Sequence, residues 1–216
     1  MSKVRPSTRK ILPARGREVV GEITHGCDIY AMTMGLCSLV EIIAVCLEAT
    51  GPAAIELGFW TCALPDVEWL AEKHAAGTVT DITWILDNSI WSRPTSAAVC
   101  EALIGIFGDE RIFATSIHCK FVTIRNDRWN LAIRTSANLN INRRIEYVEI
   151  SDSLELCESL GAFVNLVKEA GFTLEEGSTN RAMSEDSFWS LGGKPKMRNA
   201  QLGYGMKQKG ITYGIG

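Results

Sequence analysis

Of the three histidines in the chain, His118 stands two residues before Lys120 in the stretch SIHCKFVTIRNDRWNLAIRTSANLN, and Ser136 and Asn138 follow beyond a polar turn. An imidazole titrates near neutrality and can act as nucleophile, general acid or general base. An ammonium is a point charge for an anion, while a hydroxyl and an amide are neutral donors to its oxygens. These four side chains on one face would make a pocket for a tetrahedral anion. Residues i and i+2 of a strand share a face, so His118 goes with Lys120, and Ser136 with Asn138. Whether the pairs meet depends on register. An odd hairpin loop, 127–129 or 126–130, sets His118 opposite Asn138 and Lys120 opposite Ser136, whereas an even loop separates them. Odd loops with a left-handed residue are common, which favours the convergent register. Arg134 then shares the face of Ser136. Without the serine and asparagine, His118 and Lys120 would read as a hydrogen-bonded core histidine and an edge charge.

Several elements must hold these residues. SLVEIIAVCLEA (38–49) has a helical period and stops at Gly51-Pro52. AAIELGFWTCA (53–63) reads as a buried strand, followed by a helix that opens at Leu64-Pro65-Asp66 and closes at Gly77. TDITWILDNS (80–89) is a second strand, 95–107 a crossover helix and RIFAT (111–115) a third strand. After the hairpin come a strand at IEYVEI (145–150) and a helix over 154–170, N-capped by Ser151 or Ser153. Strands alternating with crossover helices predict an α/β domain with a mixed, mainly parallel sheet flanked by helices. It spans 22–170, between a flexible basic N-terminal tail (1–21) and a basic, Gly-rich C-terminal extension (171–216).

The charge is uneven. Lys3, Arg5, Arg9, Lys10, Arg15 and Arg17 face no acid in residues 1–17, and Lys194, Lys196, Arg198, Lys207 and Lys209 face none in residues 194–216. Between them stand 11 basic against 25 acidic side chains. Basic tails on an acidic body suit a polyanion such as nucleic acid, or are simply solvated tails. Seven scattered cysteines without a CxxC pair argue against a zinc ribbon or disulfide scaffold and for a reducing, cytoplasmic setting. The N-terminus has no apolar core of a secretory signal, and the longest uncharged run, 29–40, is too short to span a bilayer. No membrane partner is expected. By alternation Cys119 points away from His118 and Lys120, into the core, as do Phe59, Trp60 and Trp84. Trp129, in the hairpin turn, is a candidate for stacking on a nucleobase.

The stretch resembles the phospholipase D superfamily, whose motif is HxK, an aspartate after four further residues, a Gly-Ser-x-Asn segment and a glutamate on the next strand. His118-Cys119-Lys120 matches HxK, Thr135-Ser136-Ala137-Asn138-Leu139-Asn140 matches the second segment, and Glu146 in RRIEYVEI falls where the glutamate does. The strand, helix and second strand ahead of the motif also fit, so the likeness covers about residues 35–170. Two positions depart: Arg125 replaces the aspartate and Thr135 the glycine. The resemblance implies a metal-independent phosphodiesterase, with no cofactor, in which His118, Lys120, Ser136, Asn138 and Glu146 are catalytic and Glu146 orients the imidazole. Two HxK copies are required, and neither His25 nor His74 has a lysine two residues on, so it implies a homodimer sharing one active site. Single-motif members are mostly nucleases, which points to DNA or RNA as substrate, with Arg134 and Trp129 in contact with it. The alternative is a catalytically degenerate protein that binds nucleic acid or plays a structural part.

Overall fold

The computed structural model describes residues 11–141 and 143–169, the side chain of Ser92 excepted. The predicted extension at 171–216 and the first ten residues lie outside the described residues. The chain runs α1 (Pro13–Val20), β1 (Asp28–Met32), α2 (Leu39–Thr50), β2 (Ala53–Phe59), α3 (Leu64–Ala75), β3 (Val79–Asp87), α4 (Ser89–Ser92), a 3₁₀ turn (Pro94–Ser96), α5 (Ala97–Phe107), a second 3₁₀ turn (Asp109–Arg111), β4 (Ile112–Thr115), β5 (Lys120–Arg125), β6 (Asn130–Thr135), β7 (Tyr147–Asp152) and α6 (Leu154–Glu169).

Seven strands form one sheet in the order β1-β7-β6-β5-β2-β3-β4. The sheet is mixed, as expected, but the expectation that it is mainly parallel is corrected. β2, β3 and β4 are parallel, but β5, β6, β7 and β1 join antiparallel. The reason lies in the connections: β2–β3 and β3–β4 are neighbours joined through crossover helices. β5 and β6 are instead joined by a hairpin loop that only an antiparallel pair can use, and β7 and β1 add to the far side of that hairpin. A further correction concerns the N-terminal tail, because residues 13–20 are helical. Pro13 starts α1, and Gly16 lets it lie on α2, since a Cβ there would stand 2.5 Å from the Glu41 carbonyl oxygen. Glu41 is 2% exposed, yet its carboxylate accepts from the amides of Ser38 (2.9 Å) and Leu12 (3.2 Å) and from the Ser38 hydroxyl. This capping box starts α2 and ties α1 to it.

α2 is buried almost all round, as a core helix must be. With α3 and α5 it covers one face of the sheet, over Ile55, Leu57, Trp84, Leu86, Val122 and Ile133. α6 covers part of the other, setting Val164 and Val167 on Ile85, Phe113 and Phe121. Its N-cap is Ser153, whose hydroxyl accepts from the Leu156 amide. Strand directions bring the C-terminal ends of β1, β2, β3, β4 and β6, and the N-terminal ends of β5 and β7, to a single edge. Every residue of the predicted catalytic set lies along it.

Candidate active site

Backbone pairing between β5 and β6 starts at Lys120↔Thr135 and ends at Arg125↔Asn130, so the loop is 126–129 and even. The expected odd register is therefore corrected. Asn126 explains it: its Oδ1 accepts from the amides of Arg128 and Trp129, both at 3.0 Å, while Nδ2 donates to the carbonyls of Thr50 and Pro52. A side chain closes the turn, and no left-handed residue is used. The polar residues still gather at the same sheet edge, because His118 and Ser136 lie beyond the ladder, where strict alternation no longer holds. Ser136 turns toward β7, and the segment after it forms a parallel bridge, Cys62↔Leu139, beside the end of β2.

Lys120 is 8% exposed. Its Nζ donates to the His118 carbonyl at 2.6 Å and lies 3.3 Å from His118 Nδ1. Burial pushes the Lys120 ammonium below its ordinary pKa, against the opposing fields of Cys119, Glu146 and Asp87. An ammonium only donates, so Nδ1 accepts and the neutral imidazole carries its proton on Nε2. The ring itself is exposed. Glu146 accepts a short hydrogen bond from the Ser136 hydroxyl, which in turn accepts from the Tyr147 amide at 3.2 Å. The imidazole lies beside Lys120 and the ring of Trp60 (centroids 6.0 Å apart). Thr33 fixes the Glu146 backbone by two hydrogen bonds. Asn138 Oδ1 is buried without a hydrogen-bond partner among the described residues. Such an acceptor costs about 1–3 kcal/mol when no partner reaches it.

Asp87, at the end of β3, was not singled out from sequence. It accepts from the Ser89 amide (2.9 Å) and the Ile117 amide (3.0 Å), anchoring the loop that carries His118. An acid closing the apolar run TWIL at the C-terminal end of a parallel strand is the signal that could have found it. Trp60, expected in the core, is half-buried beside His118, and Cys119 is exposed because the strand begins only at Lys120.

Two predicted substrate contacts are corrected. Trp129 is 6% exposed and stacks on His25 (centroids 3.7 Å) at the hairpin end of the sheet, because the turn that closes on Asn126 folds the indole inward. Arg134 pairs with Glu149 at 2.9 Å across β6–β7, on the face opposite Lys120 and Thr135. The two motif departures also find places. Arg125 is at the far end of β5, about 17 Å from Lys120 at ~3.3 Å per residue, and its Nε donates to Asn130 Oδ1. The Thr135 hydroxyl donates to the Tyr147 carbonyl (2.6 Å) and accepts from the Ala137 amide (3.0 Å).

No family model matches the chain, and no curated protein does. Among solved structures it is similar to NucT from Helicobacter pylori, with a TM-score of 0.52 and 8% identity over 68% of this chain and 100% of that one. Another is phosphatidylserine synthase from Haemophilus influenzae Rd KW20, at a TM-score of 0.49 and 13% identity, over 83% of this chain and 46% of that one. The fold is phospholipase D-like. Among the described residues no helix is long and apolar enough to cross a membrane.

Proposed function

We propose that the chain is a phosphodiesterase that cleaves the backbone of DNA or RNA through a phosphohistidine, without a metal, at a site shared by two copies. The observation that carries this reading is the convergence of His118, Lys120, Ser136 and Glu146 on one sheet edge from separate segments. In the first step Nε2 of one His118 attacks phosphorus, forming a P–N bond as the P–O bond to the leaving oxygen breaks. His118 of the second copy gives its Nε2 proton to that oxygen. Water then attacks phosphorus, that second imidazole takes its proton, and the P–N bond breaks.

The attacking copy needs its proton on Nδ1, which becomes possible when phosphate oxygens draw the Lys120 ammonium away from that nitrogen. The acid must be the imidazolium, with protons on both Nδ1 and Nε2, so that it is left neutral after giving up the Nε2 proton and can take the proton of water. It too therefore needs Lys120 drawn off Nδ1. Lys120 and Asn138 then stabilise charge on the nonbridging oxygens. Glu146 acts through Ser136 and by keeping Lys120 charged. The dimer is favoured by an apolar rim: Tyr30, Met32, Met34, Leu36, Ile145 and Tyr147 are exposed where β1 and β7 meet the site edge. A non-catalytic, nucleic-acid-holding role rests on Arg125 and Thr135, but Arg125 is remote from the site and the Thr135 hydroxyl is occupied by backbone.

Mass spectrometry after an alkaline, denaturing quench during turnover of a short DNA oligonucleotide tests the intermediate, because a P–N bond to histidine survives base and hydrolyses in acid. A phosphoryl-linked adduct on His118 is expected; none accumulating under any quench, with cleavage proceeding, would remove the covalent step.

A further inference from the structure

Arg93 lies on the connection between β3 and α5, at the same edge. Its guanidinium carbon stands 4.1 Å over the centre of the Trp60 ring, and that ring faces His118. Nη2 donates a short hydrogen bond to the Ser89 hydroxyl, and the Ser89 amide donates to Asp87. The arginine is thus braced to the strand end that also anchors the His118 loop. Among the described residues no carboxylate pairs with it, whereas Arg17 and Arg134 each have one and Arg111 has two. A half-buried guanidinium with a neutral bed and no carboxylate in contact, one indole's breadth from His118, is a receptor for an anion.

We propose that Arg93, held flat on Trp60, binds the phosphate next to the scissile one in a nucleic-acid strand; this rests on the phosphodiesterase reading of the neighbouring site. The planar fork takes two phosphate oxygens while its face stays on the indole, which a lysine cannot reproduce. The contact is to backbone, so it positions the strand without reading its sequence.

The test uses the full chain carrying His118→Ala, so that cleavage does not interfere, and fluorescence anisotropy with a labelled single-stranded oligonucleotide across a salt series. Adding Arg93→Ala weakens binding about tenfold and reduces the salt slope by about 0.7, as loss of one phosphate contact requires. Arg93→Lys keeps the slope but recovers only part of the affinity, and Trp60→Leu weakens binding with the slope retained. Circular dichroism and thermal melts verify that each variant is folded. Equal affinity and slope with and without Arg93, or no binding by the His118→Ala parent, overturns the subsite. Arg93-dependent binding supports it whether or not the chain with His118 intact hydrolyses bis(4-nitrophenyl) phosphate, the assay that decides the phosphodiesterase reading.

Discussion

Lys120 sits in the field of Asp87 and Glu146, with burial lowering its pKa and these carboxylates opposing the shift. Its function requires the charged form, so the alkaline limb of the cleavage profile reports on it. In Glu146→Gln one opposing carboxylate is gone, Lys120 deprotonates more readily, and the alkaline limb moves to lower pH. A limb that stays in place, measured as kcat/KM from pH 6 to 10, would free Lys120 of this role. Lys120→Met is expected to cost about 10²–10³ in kcat, the scale of losing one preorganised donor to developing charge. Thr135 invites the opposite experiment, since glycine is what the superfamily motif carries there. Thr135→Gly removes two backbone hydrogen bonds made by the hydroxyl and loosens the end of β6. We expect a loss of about 1–2 kcal/mol in urea unfolding and no gain in cleavage.

At the scale of elements, the crossover units, the capped α2 and the helix over 154–169 were legible because apolar period, Pro and Gly punctuate them plainly. β1 was not, since five residues of edge strand carry too little pattern, and α1 was not, because its stability comes from docking on Glu41 rather than from its own sequence. The candidate set could be picked out by residue type and spacing, while the geometry that gathers it at one edge could not. Register hung on the Asn126 side chain, and convergence on residues outside the ladder, neither of which alternation can reveal. Arg93 escaped because a single charged residue in a loop carries no period, and Asp87 because an acid that closes a strand reads only as the end of an apolar run.

Two substitutions test these elements. Gly16→Ala forces a methyl into the Glu41 carbonyl and should destabilise the fold by about 1–3 kcal/mol, read by thermal unfolding. Asp152 sits at the end of the sheet away from the site. Burial alone would push its carboxyl up, but the amides of Gly26 and Asn130 and the His25 ring outweigh it and hold the pKa below the usual 3.8. A depressed carboxylate stabilises above its unfolded pKa and loses that contribution as pH falls through the folded one. The stability gap between the parent and Asp152→Asn should therefore be full at neutral pH and shrink below pH 3.8. A gap independent of pH in urea titrations would deny the linkage.

At the scale of the whole molecule, one HxK copy per chain makes the second copy part of the proposed chemistry. Met34, 59% exposed on the rim, has a φ of 51°, a left-handed conformation that aspartate adopts more readily than methionine. Met34→Asp thus places a charge in the proposed interface without straining the fold. Sedimentation should show monomers where the parent is dimeric, with cleavage lost in parallel; a dimer unaffected by this change would move the interface elsewhere.

The most direct measurement is digestion in EDTA, with labelled single- and double-stranded DNA and RNA, of the parent chain beside His118→Ala. The expected result is EDTA-resistant cleavage of at least one substrate by the parent and a loss of at least about 10³-fold in the variant, as removal of a nucleophile that is also the second copy's acid demands. Cleavage that persists undiminished without His118, or no cleavage of any of the four, would contradict a phosphohistidine nuclease.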